Sequence, residues 1–331
     1  MKPSARDALA LGIALAAAWL AHQFVLGIEL VGWDAYPIIA ASRVMDPGDA
    51  PALVLQEWMD GRYPRGHFYR PVTAFTFAID HALWGLEPRG YQATNLACLL
   101  LAVASIFALA RAWLGSAVAA GTAALVVAIH PAMLEVVPAA ARRADLLALA
   151  FVAAALALQR FDGAPGRLRA GLGALCAALA VATKETGAVV VPVVIAAHAL
   201  LPSASAKRFG TGEILRRAAP AVLAALAVLL ARTAVLGGLG GHPDSSLLGG
   251  TLAGVLGAGT WVHLALMPQP WLEAPAIDFL LAAVLAGGLG VATWWAARRD
   301  DTARRLAWVL AVWAGTLLLL TGVSGDPASW Y

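Results

Sequence analysis

Asp34 is the residue whose type and position best suit chemistry. It lies just after the first long apolar run, in Gly32-Trp33-Asp34-Ala35-Tyr36. A carboxylate at the boundary between lipid and water is partly desolvated, which raises its pKa and lets it accept a proton from a hydroxyl group. We therefore predict that Asp34 is a general base. Binding of a divalent cation is the alternative, which we do not favour because such ions prefer several oxygen ligands and the sequence has no Asp-x-Asp pair here.

Three basic residues next to apolar segments could bind an anionic group. Arg70 precedes Pro71, Lys184 stands with Glu185 between two apolar segments, and Arg232 follows a long apolar run. A charged residue inside a membrane costs about 2.5–3.5 kcal/mol on insertion scales, so the adjacent pair indicates either function or a turn at the membrane surface. Arginine suits a lipid phosphate through its paired N–H donors, although a lone arginine near a helix end can also extend into the headgroups.

A second group of polar residues could bind an acceptor or a sugar. Most of them lie in short links between apolar segments, where the opposite charges could also simply neutralise one another. A carboxylate that opens a helix also stabilises its free N–H groups and its dipole, and a lone histidine in an apolar segment is more often packed than catalytic. The group comprises His130, Glu135, Arg143, Asp145, Glu185 and His263.

The elements that must position these residues are membrane helices. Of 331 residues, 61% are hydrophobic and 13% are charged, whereas soluble domains carry about 25% charged residues. Apolar segments fall at 8–31, 91–110, 116–134, 144–158, 170–183, 186–201, 218–236, 250–267, 276–297 and 305–323. The net charge of +3 therefore does not indicate nucleic-acid binding. No CxxC or HExxH pattern is present, so the sequence predicts no metal site of that kind.

The distribution of basic residues predicts the topology. Cytoplasmic links are rich in Lys and Arg, so we place the N-terminus, with Lys2 and Arg6, in the cytoplasm behind a retained signal anchor. We place the glycine-rich segment 250–267 on the outer face as a re-entrant or interfacial segment, not as a span, which gives about nine transmembrane helices. Residues 32–90 then form the first outer loop, with an amphipathic interfacial helix that starts at Pro71. The excess of arginine and alanine is typical of a bacterial protein, which predicts a multi-pass protein of the bacterial inner membrane.

The order of these motifs resembles the GT-C superfamily of membrane glycosyltransferases. Within it, the chain is most similar to protein O-mannosyltransferases, including the membrane part of the transmembrane and tetratricopeptide-repeat O-mannosyltransferases. The matching stretches are Gly32-Trp33-Asp34, Phe68-Tyr69-Arg70-Pro71-Val72-Thr73-Ala74-Phe75-Thr76-Phe77, Gly90-Tyr91-Gln92-Ala93-Thr94-Asn95-Leu96, His130-Pro131 to Glu135, Arg143-Ala144-Asp145-Leu146-Leu147 and Lys184-Glu185-Thr186.

The resemblance implies a single all-α, GT-C-like membrane domain over residues 1–331. It implies transfer of a sugar, mannose, from a polyprenyl-phosphate donor to a hydroxyl group of a protein or glycan at the outer, periplasmic face. Asp34 would be the catalytic carboxylate, and Arg70, Lys184 and Arg232 would bind the donor phosphate. Ala35 stands where relatives often carry a second acid, and the chain ends at Tyr331 where relatives continue, which indicates a truncated protein.

Two other classes of membrane protein remain open from the residues alone. A transporter or flippase of lipid-linked substrates often contains inverted repeats, and the sequence shows no repeat. A non-catalytic membrane subunit would tolerate replacement of the acids on the outer face. The lipid bilayer is a partner in every case.

Overall fold

The computed structural model describes residues 4–32, 34–62, 66–159, 166–201, 209–238, 240–241 and 275–324. Within these ranges the chain is helical, and its β-structure is limited to two isolated bridges, Val31 with Ala139 and His67 with Gly241. The all-α prediction is therefore confirmed for the described part of the chain. Segment 250–267, with the predicted site residue His263, lies outside the described residues.

The helices follow the apolar segments closely, with differences at their ends. They are α1 (Ala5–His22), α2 (Ala35–Ser42), α3 (Ala52–Leu55), α4 (Pro71–Trp84), α5 (Pro88–Leu114), α6 (Ala117–Ile129), α7 (Met133–Val136), α8 (Arg143–Ala157), α9 (Arg167–Thr183), α10 (Val190–Leu200), α11 (Thr211–Leu236), α12 (Pro275–Arg299) and α13 (Asp301–Ser324). Short 3-10 turns occupy Gln23–Gly27, Pro47–Asp49, Trp58–Gly61, Ala140–Arg142 and Glu185–Val189.

Local sequence explains where several of these helices begin and end. Ser4 and Asp7 form a reciprocal capping box at the start of α1. Pro71 and Pro88 open α4 and α5, since a proline at the first helical position loses no intrahelical hydrogen bond. Gly115 ends α5 in the left-handed conformation that glycine adopts without strain.

Three described helical segments are long and apolar enough to cross a membrane. They are Ala5–Gly27, Pro88–Leu114 and Thr211–Leu236, and the shorter apolar helices Ala117–Ile129 and Glu185–Leu200 accompany them. A bilayer-spanning helix needs about 20 residues. The chain thus carries helices suited to a lipid bilayer, whereas the nine-helix topology, the orientation and the bacterial inner membrane stay predictions.

The chain divides into two compact units. The first consists of Met1–Gln159, Arg167–Val190 and Ala221–Pro243. The second consists of Arg160–Gly166, Val191–Pro220 and Asp244–Tyr331. All the candidate site residues that the structure describes lie in the first unit, and the prediction of a single membrane domain stays a prediction.

In the first unit, α1 and α6 run parallel to each other and antiparallel to α5. Arg111 Nε, near the end of α5, donates to Asp7 Oδ1 at the start of α1 over 2.6 Å. His22 Nε2 lies 3.0 Å from the carbonyl oxygen of Ala128, so the ends of α1 and α6 adjoin. Small residues let these helices approach closely. They include Ala14, Ala18, Ala120, Ala124 and Ala128, all buried in one core cluster.

Helices α8 and α9 continue the up-and-down arrangement of α5 and α6. Arg143, which opens α8, contacts Asn95 near the start of α5, so these helices run parallel. Arg169 Nε near the start of α9 donates to the carbonyl oxygen of Leu158, which follows the end of α8, over 2.8 Å. Consequently the first unit has one end that is built from the start of α5, the end of α6, the start of α8 and the end of α9. We call it the polar end.

Helix α4 confirms that a helix starts at Pro71, whereas its interfacial position stays a prediction. Its apolar Ile79 and Leu83 are exposed, and Trp84 beside them is 48% exposed. The opposite face buries Thr73 and Asp80 against the rest of the unit. The same inner face also buries Ala74 and Phe77. Exposed apolar residues on the outer face, with polar residues buried on the inner face, differ from the pattern of a water-soluble helix and suit a helix whose outer side contacts lipid.

Candidate functional site at the polar end

The polar end is organised around Arg143, whose side chain is completely buried. Its Nη2 lies 2.6 Å from Asp80 Oδ2, and its Nε donates to Asn95 Oδ1 over 2.8 Å. Further N–H groups donate to Thr76 Oγ1 and to the carbonyl oxygen of Tyr91, each over 3.2 Å. A buried guanidinium needs such a set of acceptors because desolvation of a charge is costly.

This network joins the elements that carry the other candidate residues. Arg143 begins α8, Asp80 lies on α4, and Asn95 lies on α5, where its Nδ2 also donates to the carbonyl oxygen of Val137 over 3.0 Å. The guanidinium carbon is 4.3 Å from the centre of the Phe77 ring, a cation–π contact. Because Arg143 has no exposed surface, these contacts favour a positioning role over the direct sugar contact that the sequence suggested.

A second buried ion pair joins Arg70 to Glu185. Arg70 Nη2 lies 2.5 Å from Glu185 Oε1, and its Nε donates to Oε2 over 3.1 Å, so the carboxylate is held by two parallel bonds. The two side chains are only 13% and 14% exposed. Burial by itself would raise the pKa of Glu185, but the Arg70 guanidinium overcomes this and lowers it to about 2, so the carboxylate stays ionised.

Aromatic rings hold Arg70 in place. The guanidinium carbon is 4.6 Å from the centre of the Phe68 ring and 5.8 Å from that of Trp58. Trp58 begins a 3-10 turn in which Met59 and Asp60 both have left-handed backbone angles, with φ of 57° and 55°. Non-glycine residues in this region are uncommon and often occur where a loop positions functional groups.

Arg232 lies in the same neighbourhood and is only 9% exposed, unlike an arginine that extends into the headgroups. The charges of Glu185 and Arg70 both act on it, so the three residues are close in space. After α11, Gly241 pairs with His67 through two backbone hydrogen bonds of 2.9 and 2.7 Å. A side chain at Gly240 would come within 3.0 Å of Arg232 Nη2, so glycine allows this close approach.

Lys184 and Asp145 form the adjoining ion pair. Lys184 Nζ lies 2.5 Å from Asp145 Oδ1, and its side chain is 7% exposed whereas that of Asp145 is 38% exposed. This pair links the end of α9 to the first turn of α8. The tight turn after Lys184 depends on Gly187, where a Cβ atom would lie 2.1 Å from the carbonyl oxygen of Ala180.

Asp34 stands just before α2, with intermediate exposure. Partial burial raises its pKa above the ordinary aspartate value of 3.8, and the positive charges of Arg142 and Arg70 only partly oppose this. Asp34 makes no side-chain cap bond to α2, so the helix does not account for its carboxylate. A partly buried carboxylate with a raised pKa and cations nearby is suited to proton transfer.

The remaining candidates lie at the margin of the site. Glu135 and Arg142 are 3.9 Å apart, both about one-third exposed, which describes a weak surface ion pair. His130 Nδ1 accepts a hydrogen bond from the backbone N–H of Ala132 over 3.2 Å, so that nitrogen shapes the turn after α6. His67, which the sequence analysis did not select, pairs with Glu57 over 2.8 Å on the exposed side of the same region.

The structure thus brings most predicted residues to one end of the first unit. The centre consists of Asp34, Arg70, Asp145, Lys184, Glu185 and Arg232, the buried Arg143 joins the helices around it, and His130 and Glu135 lie at its margin. Among the described residues, no cluster of three or more His, Cys, Asp or Glu side chains has the geometry of a metal site.

Sequence reasoning missed the partners of the buried charges. Thr76 and Asn95 lie in matching stretches but had no assigned role, Asp80 lies outside those stretches, and no sequence pattern pointed to Trp58. A polar residue on the inner face of an otherwise apolar helix is the signal that could have identified Asp80 and Asn95.

Comparison with known proteins adds no assignment. The chain matches no family model, no curated protein and no solved structure.

Proposed function

We propose that the polar end transfers a sugar, mannose, from a polyprenyl-phosphate donor to an acceptor hydroxyl at the outer face of a bacterial inner membrane. The observation that carries the proposal is the position of Asp34, a partly buried carboxylate with a raised pKa within electrostatic reach of Arg70 and Arg142. The apolar helices around it are compatible with a donor whose tail stays in the bilayer.

The cations of the centre suit an anionic ligand. Arg70, Lys184 and Arg232 supply three positive charges, which stand against the carboxylates of Glu185, Asp145 and the ionised Asp34, so a bound phosphate would meet three cations in a site that is otherwise neutral. All three cations are largely buried, so their attraction for a phosphate is less screened by water than that of a surface cation. We assign Arg232 and Lys184 to the phosphate and Arg70 to the alignment of Glu185.

The reaction then proceeds in one displacement. The acceptor O–H bond breaks as its proton moves to the Asp34 carboxylate, and the acceptor oxygen forms a bond to C1 of the sugar. The bond between C1 and the phosphate oxygen breaks at the same time, and its electron pair leaves with the polyprenyl phosphate. The attack comes from the opposite face, so the configuration at C1 inverts. The cations stabilise the charge that develops on the leaving phosphate.

The position of the charges supports an enzyme over a transporter. Transporters place substrate and ion sites near the middle of the membrane, on interrupted helices. In the first unit, by contrast, the buried pairs Arg143 with Asp80, Arg70 with Glu185 and Lys184 with Asp145 all gather at one end of the helices. A site at one membrane surface can meet a water-soluble acceptor.

The decisive test compares Asp34→Asn with Asp60→Asn. Asp60 lies in the same predicted loop, is about half exposed and pairs only with the exposed Arg62 among the ion pairs of the described residues, so it is a matched control. Purified protein in nanodiscs is incubated with polyprenyl-phosphate [³H]mannose and a pool of serine- and threonine-containing peptides, and peptide-bound label is counted. Loss of a general base lowers rates by about 10²–10⁴-fold.

We expect Asp34→Asn to lose that much transfer and Asp60→Asn to keep the wild-type rate. Full transfer by Asp34→Asn would refute the base assignment. Absence of transfer by the wild-type protein with mannose, glucose and galactose donors alike would overturn the proposed activity itself.

A further inference from the structure

The turn between α12 and α13, in the second unit, carries an arrangement that the proposed function does not use. The guanidinium carbon of Arg298 lies 3.9 Å from the centre of the Trp294 ring, and that of Arg299 lies 3.7 Å from the centre of the Trp295 ring. Each arginine thus stacks on a tryptophan one helical turn earlier. Both rings are about half exposed, at 54% and 52%, so they are part of the surface.

These arginines differ from the two that follow them. Arg304 and Arg305 both pair with Asp301 at the start of α13. Among the described residues, no ion pair involves Arg298 or Arg299. Asp300, which stands between the helices, accepts a hydrogen bond from the backbone N–H of Thr302 over 3.0 Å. The two stacked arginines therefore contribute positive charge that no carboxylate of the described chain neutralises directly.

The stacking leaves the guanidinium groups able to bind phosphate. A ring that contacts the flat face of a guanidinium does not occupy its N–H groups, which lie along the edge. Phosphate is bound through that edge, by two parallel N–H donors. The tryptophan also restricts the arginine to one position, which lowers the entropy lost on binding.

The length of α12 is compatible with a position of this end among lipid headgroups if the helix crosses the bilayer. Its 25 residues correspond to about 37 Å at 1.5 Å per residue, whereas the hydrocarbon core is about 30 Å thick. The exposed Val284 and Val291 precede the tryptophans on the same helix, and the exposed Trp308 follows on α13. Aromatic residues at the end of an apolar helix are typical of the membrane–water interface.

We propose that the α12–α13 turn, defined by Trp294, Trp295, Arg298 and Arg299, binds the headgroup phosphates of anionic phospholipids. The apolar helix contacts the acyl chains, the two indole rings lie among the headgroups, and the two guanidinium groups bind phosphodiester oxygens. A zwitterionic phospholipid offers the same phosphate but also a cation that the arginines repel, so the site prefers a lipid with net negative charge. This surface is independent of the proposed sugar transfer.

The test measures lipid preference in the full-length protein. Purified protein is equilibrated with detergent micelles that contain equal amounts of phosphatidylglycerol and phosphatidylcholine, and native mass spectrometry counts the adducts of each. The double variant Arg298→Gln/Arg299→Gln is compared with Arg304→Gln/Arg305→Gln, which removes the same number of charges from two side chains that share the Asp301 carboxylate. Thermal unfolding of each variant verifies its folding.

Each arginine near an anionic surface changes its attraction for that surface by roughly fivefold. We therefore expect the first variant to lose at least about fivefold of the preference for phosphatidylglycerol, and the control variant to lose less than about twofold. Trp294→Leu/Trp295→Leu should give an intermediate loss, because the charges remain but are no longer held in place. Equal losses in the two arginine variants, or no preference in the wild-type protein, would overturn the proposal.

A salt titration of the wild-type protein tests the same proposal without any variant. Raising the salt to about 0.5 M shortens the distance over which exposed charges act to a few ångströms. The preference for phosphatidylglycerol should then fall several-fold. A preference that salt leaves unchanged would mean that the tryptophan rings and helix surface select the lipid, and the role of the arginines would be refuted.

Discussion

Replacement of Arg143 by methionine should destabilise the protein far more than the same replacement of its neighbour Arg142. Arg143 is fully buried and is bound by Asp80, Asn95 and two further acceptors, whereas Arg142 is about one-third exposed and lies 3.9 Å from Glu135. Arg142 and Arg143 are adjacent in the sequence and carry the same side chain. Their comparison therefore isolates the effect of burial.

The expected loss of stability follows from the environment of the Asp80 carboxylate, which stays buried when Arg143 is replaced. In Arg143→Met, Asp80 remains 3% exposed without its guanidinium partner. Removal of one partner of a buried ion pair costs about 3–5 kcal/mol, whereas exposed pairs contribute about 0–1 kcal/mol. At about 2 °C per kcal/mol, the midpoint of thermal unfolding should fall by roughly 6–10 °C for Arg143→Met and by at most about 2 °C for Arg142→Met.

A double-mutant cycle separates charge from packing. The assay is tryptophan fluorescence during thermal unfolding of the purified protein in one detergent. Addition of Asp80→Asn to Arg143→Met removes the uncompensated charge, so part of the lost stability should return, with a coupling of about 1–3 kcal/mol. Equal falls for the two single methionine variants, or strictly additive losses in the double variant, would refute the reasoning. Loss of sugar transfer without loss of stability would instead return Arg143 to the group of ligand-binding residues.

Three further outcomes are expected at the polar end. Glu185→Gln removes the charge of the carboxylate that binds the buried Arg70 through two hydrogen bonds, so the unfolding midpoint should fall by several degrees, and added polyprenyl phosphate should raise it more than in the wild-type protein. An unchanged midpoint would show that the pair does not stabilise the fold. A general base works only when it is deprotonated, so the initial transfer rate should rise with pH as Asp34 loses its proton. Because the pKa of Asp34 is raised, this rise should be centred above the ordinary aspartate value of 3.8. A rate that does not change between about pH 4 and 7 would argue against this base. Gly187→Ala places a methyl group 2.1 Å from a backbone carbonyl oxygen of α9, so it should displace the turn at Glu185. Both the unfolding midpoint and the rate of sugar transfer should then fall. Wild-type values of both would contradict the close packing of that turn.

Much of the helical architecture follows from local features of the chain. Long apolar runs predict the helices, and Pro71 predicts the start of α4, because the energetic preferences involved act within one or two helical turns. The ends were less accurate. The segment predicted to extend to residue 134 ends as α6 at Ile129, before the proline at position 131. A proline lacks the backbone N–H that the helix would need, so the chain turns there.

The pairing of charges required the tertiary structure. The sequence singled out Arg70 and Glu185 separately, but they are 115 positions apart, and Arg143 is 48 positions from Asn95. No local rule specifies which helix faces which, since that depends on how the small residues of α1, α5 and α6 pack together. The sequence alone therefore determined that the chain is helical, apolar and equipped with a few costly polar groups near helix ends. Only the packing of the helices decided which of those groups neutralise one another inside the protein and which, like Asp34, remain partly exposed.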